Sequence, residues 1–259
     1  MVDYRKKFDY RTFGTDDVYF TYAINIYDDT KILSIVTDAG AHGSHVAGIT
    51  SAFHSPESEV NGVAPGAQII GLKLGDSRLG SMETGTGFTR CIIEAVRRGC
   101  DIINMSYGEA VSLCNTGRHN ELVRDLVQKY NIVFVASAGN NGPALSTVGA
   151  PGASMDDIIS VGAFVSRDMM CGSYSLILDE LESSEYNAHK DGSTYTWSSV
   201  GPSVDGSLGK YVTLTCNGRR MVLIKLVSHI MQVLILLHQV LVSLVICNYK
   251  IFLYTYHCF

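Results

Sequence analysis

Residues 102–136 read IINMSYGEAVSLCNTGRHNELVRDLVQKYNIVFVA, and this stretch decides the fold class. It opens on the short apolar run Ile102 to Met105 and closes on a second, Ile132 to Ala136. Runs of four or five apolar residues suit parallel strands buried on both faces. Between them Leu122, Val123, Leu126, Val127 and Tyr130 recur at helical spacing. Strand, helix, strand requires a crossover, and crossovers of this kind are right-handed and cover a sheet with helices. Working outward toward the N-terminus, Ala67 to Leu74 is another apolar run. Phe88, Cys91, Ile92, Ala95 and Val96 follow it on one helical face, with Gly99 as the stop signal. The pattern predicts an α/β domain with a parallel sheet. Ligands of such sheets bind at the carboxyl ends of the strands, so the loops after Leu74, Met105 and Ser137 belong to one candidate site.

Farther out the chain changes character twice. Residues 18–37 read as a hairpin, with strand-like runs Tyr19 to Ile26 and Lys31 to Val36 and a turn at Asp28-Asp29. Residues 210–259 form a tail of different composition. From Leu226 to Tyr249 it contains no Asp, Glu, Lys or Arg, and Lys225 and Lys250 flank the stretch. The expected organisation is a hairpin segment over 1–37, a catalytic-type domain over 38–210 and an apolar tail over 211–259 that stands apart from it. A run of about twenty apolar residues can span a bilayer, but His229, Gln232, His238 and Gln239 inside it raise the cost of insertion. Frame-shifted or translated non-coding sequence, a membrane span and a buried helix are the three readings of that tail.

The chain has 259 residues, enough for one domain with a real core. Its formal net charge of −5 and lack of a basic stripe argue against a nucleic-acid binder. Seven widely spread cysteines make no zinc spacing and fit reduced thiols of a cytoplasmic protein. Residues 1–17 are charged and aromatic, without the apolar core of a signal peptide.

Three strings carry chemistry. His42-Gly43-Ser44-His45-Val46-Ala47-Gly48 places a histidine where a helix begins, a position from which an imidazole can face a nucleophile and an orienting acid. The pair His42 and His45 could instead share a metal, but no third ligand follows at suitable spacing. Ser137-Ala138-Gly139-Asn140-Asn141-Gly142-Pro143 follows a buried strand. It is either an Asn-Gly turn or a loop presenting the Asn140 amide to a developing oxyanion. Asn104-Met105-Ser106-Tyr107-Gly108 ends another strand, and its backbone can pair with an extended peptide.

In this order the three strings resemble the subtilase family of serine peptidases. The resemblance implies a subtilisin-like parallel sheet with helices on both faces, incomplete at both ends. It implies His42 as general base, Asn140 as oxyanion donor, and Ser106, Tyr107 and Gly108 as partners of the substrate backbone. Further strings are similar to the tripeptidyl-peptidase II branch of the family. They include Asn61-Gly62-Val63-Ala64-Pro65-Gly66-Ala67-Gln68, Ser81-Met82-Glu83-Thr84-Gly85-Thr86-Gly87, Leu145-Ser146-Thr147-Val148-Gly149, Asp168-Met169-Met170 and Tyr195-Thr196-Trp197-Ser198-Ser199. That branch implies Glu83 and Glu109 as anchors of a substrate's free amino terminus, tripeptides as products, and large cytoplasmic homo-oligomers. Two carboxylates at the closed end of a cleft would hold an ammonium and fix how many residues are cut off. No cofactor is implied.

The family's D-[ST]-G acid string and G-T-S nucleophile string are both missing from this sequence. Asp38-Ala39-Gly40 lies too close to His42 to orient its ring, and the acid is expected upstream of Met1. Val200 stands where the branch has an arginine in Ser198-Ser199-Val200-Gly201-Pro202, which puts local packing in question. The expectation is a peptidase segment that is inactive as written. The rivals are a catalytically dead peptide-binding or assembly subunit and a membrane-anchored fragment.

Overall fold

The computed structural model describes residues 1–15, 19–37, 42–75, 84–108, 113–149, 155–165, 193–206, 211–214 and 250–255. The chain divides into two compact units, Met1–Ala41 and His42–Phe259.

The first unit is a three-stranded antiparallel sheet in the order β1 (Tyr10–Gly14), β2 (Tyr19–Tyr27), β3 (Ile32–Thr37). The predicted hairpin is β2 and β3. The additional strand β1 and the single-turn helix α1 (Tyr4–Lys7) carry too few alternating residues to be read in advance. Asp3 caps α1 by accepting from the Arg5 amide at 3.1 Å, and its carboxylate pairs with the Arg5 guanidinium at 2.8 Å. That guanidinium also donates to the Ile26 carbonyl and lies 4.3 Å from the centre of the Tyr27 ring.

The second unit is the α/β domain. Its sheet has the order β4 (Gln68–Lys73), β10 (Lys250–Thr255), β5 (Ile102–Met105), β6 (Val133–Ser137), β7 (Ile159–Val165), β8 (Ser193–Thr194), with β9 (Tyr211–Leu214) also pairing with β7. Every pairing is parallel except β7 with β8. The helices are α2 (His42–Ser51), α3 (Gly85–Arg97) and α4 (Arg118–Tyr130). Thr84 caps α3 by accepting from the Gly87 amide at 3.1 Å, and Gly99, at φ +62°, turns the chain out of it. Asn131 ends α4 in the left-handed conformation, its amide donating to the Leu126 carbonyl.

Strand alternation separates the two faces of the sheet. Ile70 and Leu72 of β4, Ile103 and Met105 of β5, and Phe134 and Ala136 of β6 pack with Phe88 and Ala95 of α3 and Val123 and Leu126 of α4. Ile69 of β4 packs instead with Val46 and Ala47 of α2. Helices therefore cover both faces. Ala95, Ile103, Val123, Leu126 and Ile158 are completely buried, each large side chain contributing about 1.5–3 kcal/mol. β4 is less enclosed than its apolar run predicts, because it forms the sheet's edge and exposes Gln68 and Lys73.

Two pieces of the segment expected to stand apart, 211–259, lie in this sheet. β9 runs beside β7, and β10 is bonded on both sides, to β4 and to β5. The sequence of β10, Lys-Ile-Phe-Leu-Tyr-Thr, is rich in aromatic and branched residues and suits an interior strand. The apolar stretch 226–249 lies outside the described residues. Among the described residues no helix is long and apolar enough to cross a membrane.

Candidate active site

His42 is the first residue of α2 and is half-buried. The direction of α2 follows from its far end. The amides of Val63 and Ala64 donate to the carbonyls of Ile49 and Thr50 at 3.0 and 2.8 Å, tying the last turn of α2 to the segment that enters β4. The helix thus ends near the amino end of β4 and begins, at His42, toward the carboxyl edge of the sheet. His45 is exposed. Among the described residues no three His, Cys, Asp or Glu side chains converge as a metal site would need.

The second string leaves the same edge from β5, two strands along from β4. Residues Ser106–Gly108 continue β5 past Met105, the last residue of that strand laddered to either neighbour. Asn104, buried, donates from Nδ2 to Ser106 Oγ at 2.9 Å and fixes the direction of exit. Tyr107 is buried, Ser106 half-buried and Gly108 exposed.

The third string follows β6, the next strand. The Ala138 amide donates to the Val161 carbonyl at 2.8 Å, extending the contact with β7. The chain then swings through Gly139 at φ +109° and presents Asn140 to solvent. The loop is held from one side by residues 195–201. Ser199 N donates to Gly139 O at 3.0 Å, Asn141 N to Ser199 Oγ at 3.0 Å, and Gly142 N to Trp197 O at 3.1 Å. Thr147 and Val200 exchange two bonds, Thr147 N donating to Val200 O at 2.9 Å and Val200 N to the Thr147 hydroxyl Oγ1 at 2.9 Å. The valine in place of arginine at 200 therefore leaves the clasp intact, since the contact uses backbone atoms that any residue supplies. In the sequence, Thr147, Ser198 and Ser199 show a family likeness only. Their hydroxyl contacts join positions more than fifty residues apart or cross to β7, and no local pattern encodes that.

A cavity of about 500 Å³ opens beside the first turns of α3 and α4, lined by Gly85, Thr86, Phe88, Thr89, Arg118 and His119 among others. Both helices follow strands, so their first turns face the carboxyl edge. His119 stacks on Phe88 at 4.0 Å between ring centres, and burial there holds its pKa below the ordinary 6.5. Glu83 and Glu109, the predicted amine anchors, lie outside the described residues, as do Asp38 to Gly40.

A parallel sheet with two motif loops and a helix-opening histidine on one edge is what the three strings predicted, and the subtilase family (peptidase S8) matches residues 5–232. The chain belongs to the subtilase family. Tripeptidyl-peptidase 2 of Arabidopsis thaliana is 51% identical over 209 residues, covering 81% of this chain and 14% of the relative. Subtilisin DY of Bacillus licheniformis is 34% identical over 200 residues, covering 70% of this chain and 68% of that protein. The crystal structure of tripeptidyl peptidase 2 superposes with a TM-score of 0.65 at 34% identity, over 94% of this chain and 19% of that one. This subtilase chain thus spans about a seventh of the tripeptidyl-peptidase 2 of Arabidopsis. The family match also runs past residue 210, where the composition changes.

Proposed function

We propose that this chain carries the base, the substrate strand and the oxyanion loop of a tripeptidyl-peptidase that removes tripeptides from the free amino termini of oligopeptides in the cytoplasm. His42 is the general base and Asn140 donates to the oxyanion of the tetrahedral intermediate. Ser106, Tyr107 and Gly108 pair with the substrate backbone, while Glu83 and Glu109 hold its ammonium. The observation that carries this reading is the exit of Asn104–Gly108 and Ser137–Asn140 from adjacent parallel strands at one edge of the sheet. A peptide laid along Ser106–Gly108 would run beside the Asn140 loop, and the cavity at α3 and α4 gives room for one of its side chains. The intact protein is proposed to be a homo-oligomer.

With neither the D-[ST]-G nor the G-T-S string, the chain alone is expected to show no turnover of a chromogenic tripeptide substrate. Losing the nucleophile alone costs about a millionfold in subtilisin. Turnover that His42→Ala abolishes would overturn that part. The site roles are tested in Arabidopsis tripeptidyl-peptidase 2 carrying residues 42–206 of this chain in place of its own. Glu83→Gln or Glu109→Gln should weaken cleavage of peptides with free amino termini, and acetylated peptides should be poor substrates before mutation. Equal cleavage of free and acetylated peptides would sink the anchor assignment.

A second reading, a non-catalytic peptide-binding subunit, is favoured by β9 and β10. They add two strands to the sheet from the C-terminal segment, and neither carries a missing string.

A further inference from the structure

We infer that Ser199 is a positioning residue for Asn140, an inference that rests on Asn140's proposed role as oxyanion donor. Donors to an oxyanion act by being fixed before charge develops, so a donor on a mobile loop loses much of its effect. Asn140 is exposed, and its own packing does not fix it. Its backbone is pegged on both flanks by one residue. Ser199 N donates to the carbonyl of Gly139, and Ser199 Oγ accepts from the amide of Asn141, both at 3.0 Å. The peptide units on either side of Asn140 are thereby held to a single point.

That point is itself rigid. Ser199 is buried, at 7% exposure. Its predecessor Ser198 is 1% exposed and accepts from the Ala163 amide of β7 at 3.0 Å. Its successor Val200 is locked to Thr147 by two bonds of 2.9 Å. The peg therefore connects the Asn140 loop to the sheet on one side and to the loop's own far end on the other. Residue 139 is matched to it. A Cβ at Gly139 would lie 2.7 Å from Ser199 Oγ, and φ there is +109°, so only glycine lets the hydroxyl come this close. The backbone bond to Gly139 would survive loss of the hydroxyl, whereas the bond to Asn141 would not.

The test is backbone amide relaxation on the ¹⁵N-labelled full chain, as wild type, Ser199→Ala and Ser199→Thr. In the wild type, Asn140 and Asn141 should show rigid order parameters of about 0.85. Ser199→Ala should lower both below about 0.6, while Ser199→Thr, which keeps the hydroxyl, restores them. Ala138 and Gly149, whose bonds do not involve Ser199, should stay rigid in all three. Unchanged order in Ser199→Ala would overturn the inference. So would an equal loss at Ala138 and Gly149, because Ser199 would then be a general structural residue, and so would failure of threonine to rescue. The donor role itself is read by turnover of the Arabidopsis enzyme carrying residues 42–206 with Asn140→Ala, which this measurement does not touch, so the two can fail separately.

Discussion

Gly142→Ala should be among the most damaging single-methyl changes in the described part of the domain. Residue 142 ends the loop that carries Asn140, and the chain passes there directly over the segment 196–198. An alanine Cβ would stand 2.0 Å from the Ser198 carbonyl oxygen and 2.7 Å from that of Thr196, where ordinary contact begins at 3.4 Å. Both obstacles are backbone atoms, so no side chain can rotate away. The two segments must part, and the bonds between them must stretch together: Gly142 N to Trp197 O at 3.1 Å, Asn141 N to Ser199 Oγ at 3.0 Å, and Ser199 N to Gly139 O at 3.0 Å. Overpacking of this kind costs about 1–3 kcal/mol, and two lost hydrogen bonds add about 1 kcal/mol each. The expected total, about 3–5 kcal/mol, is a large share of the 5–15 kcal/mol typical of a domain. Urea unfolding of the full chain should show the midpoint falling by more than about 1 M. Gly48→Ala is the control. It lies within α2 with nothing inside 4 Å of its added methyl, and it should stabilise by about 0.5–1 kcal/mol. A Gly142→Ala midpoint within about 0.3 M of wild type would refute the close approach on which the clasp depends.

Cys91 should resist thiol reagents at pH 8 while Cys114 reacts. Burial against the core pushes the Cys91 thiol up to about 11, lowering its thiolate about a hundredfold, whereas Cys114 is half-buried. Labelling followed by peptide mass spectrometry orders the two, and faster modification of Cys91 would contradict the packing of α3. Acid should weaken the contact of α3 with α4 through His119. Burial beside Phe88 holds its pKa below 6.5, so the unfolded chain takes up the proton first as pH falls. Its contribution is whole above 6.5 and is lost below. His119→Phe should flatten the part of the urea midpoint's fall between pH 8 and 5 that is due to this residue, and an unchanged slope would argue against it. Ending the chain at Tyr249 should remove β10 and leave β4 and β5 with unpaired edges. Size-exclusion chromatography should then show aggregation, and a monodisperse, fully folded product would show that β10 is dispensable.

The sequence was most informative where a single element carries its own pattern. The stripes of Phe88, Cys91, Ile92 and Ala95 and of Val123 and Leu126 are the buried faces of α3 and α4, and Ile102 to Met105 is β5 to the residue. These readings work because helical period and apolar runs are local. β7 is hard to read because Ser160 and Gly162 interrupt its apolar run, although its neighbours bury Val161 and Val165. β8, at two residues, has no pattern to read. β10 is hard to place for a different reason. Its residues read well as a strand, but its place between β4 and β5 depends on a slot created by residues more than a hundred positions away.

The same distinction divides the candidate site. His42, Ser106 to Gly108 and Asn140 can be proposed from the sequence because each sits in a short string at the end of one element, and a string is local. What holds Asn140 was not legible, because it is distributed. Ser199 reaches back 58 residues to Asn141, and Val200 reaches back 53 to Thr147. Serine and threonine at such positions look like ordinary loop residues, since a hydroxyl accepts a backbone amide in any sequence context. Their role appears only when the accounting of backbone donors is completed: the amides of Asn141, Ala163 and Val200 all end on these hydroxyls. A loop that keeps an exposed amide still while lying open to a substrate, as the proposed role of Asn140 requires, cannot use hydrophobic cover from above. It is secured from below by polar side chains that satisfy its own backbone. The three hydroxyls of Thr147, Ser198 and Ser199 supply that support without closing the site.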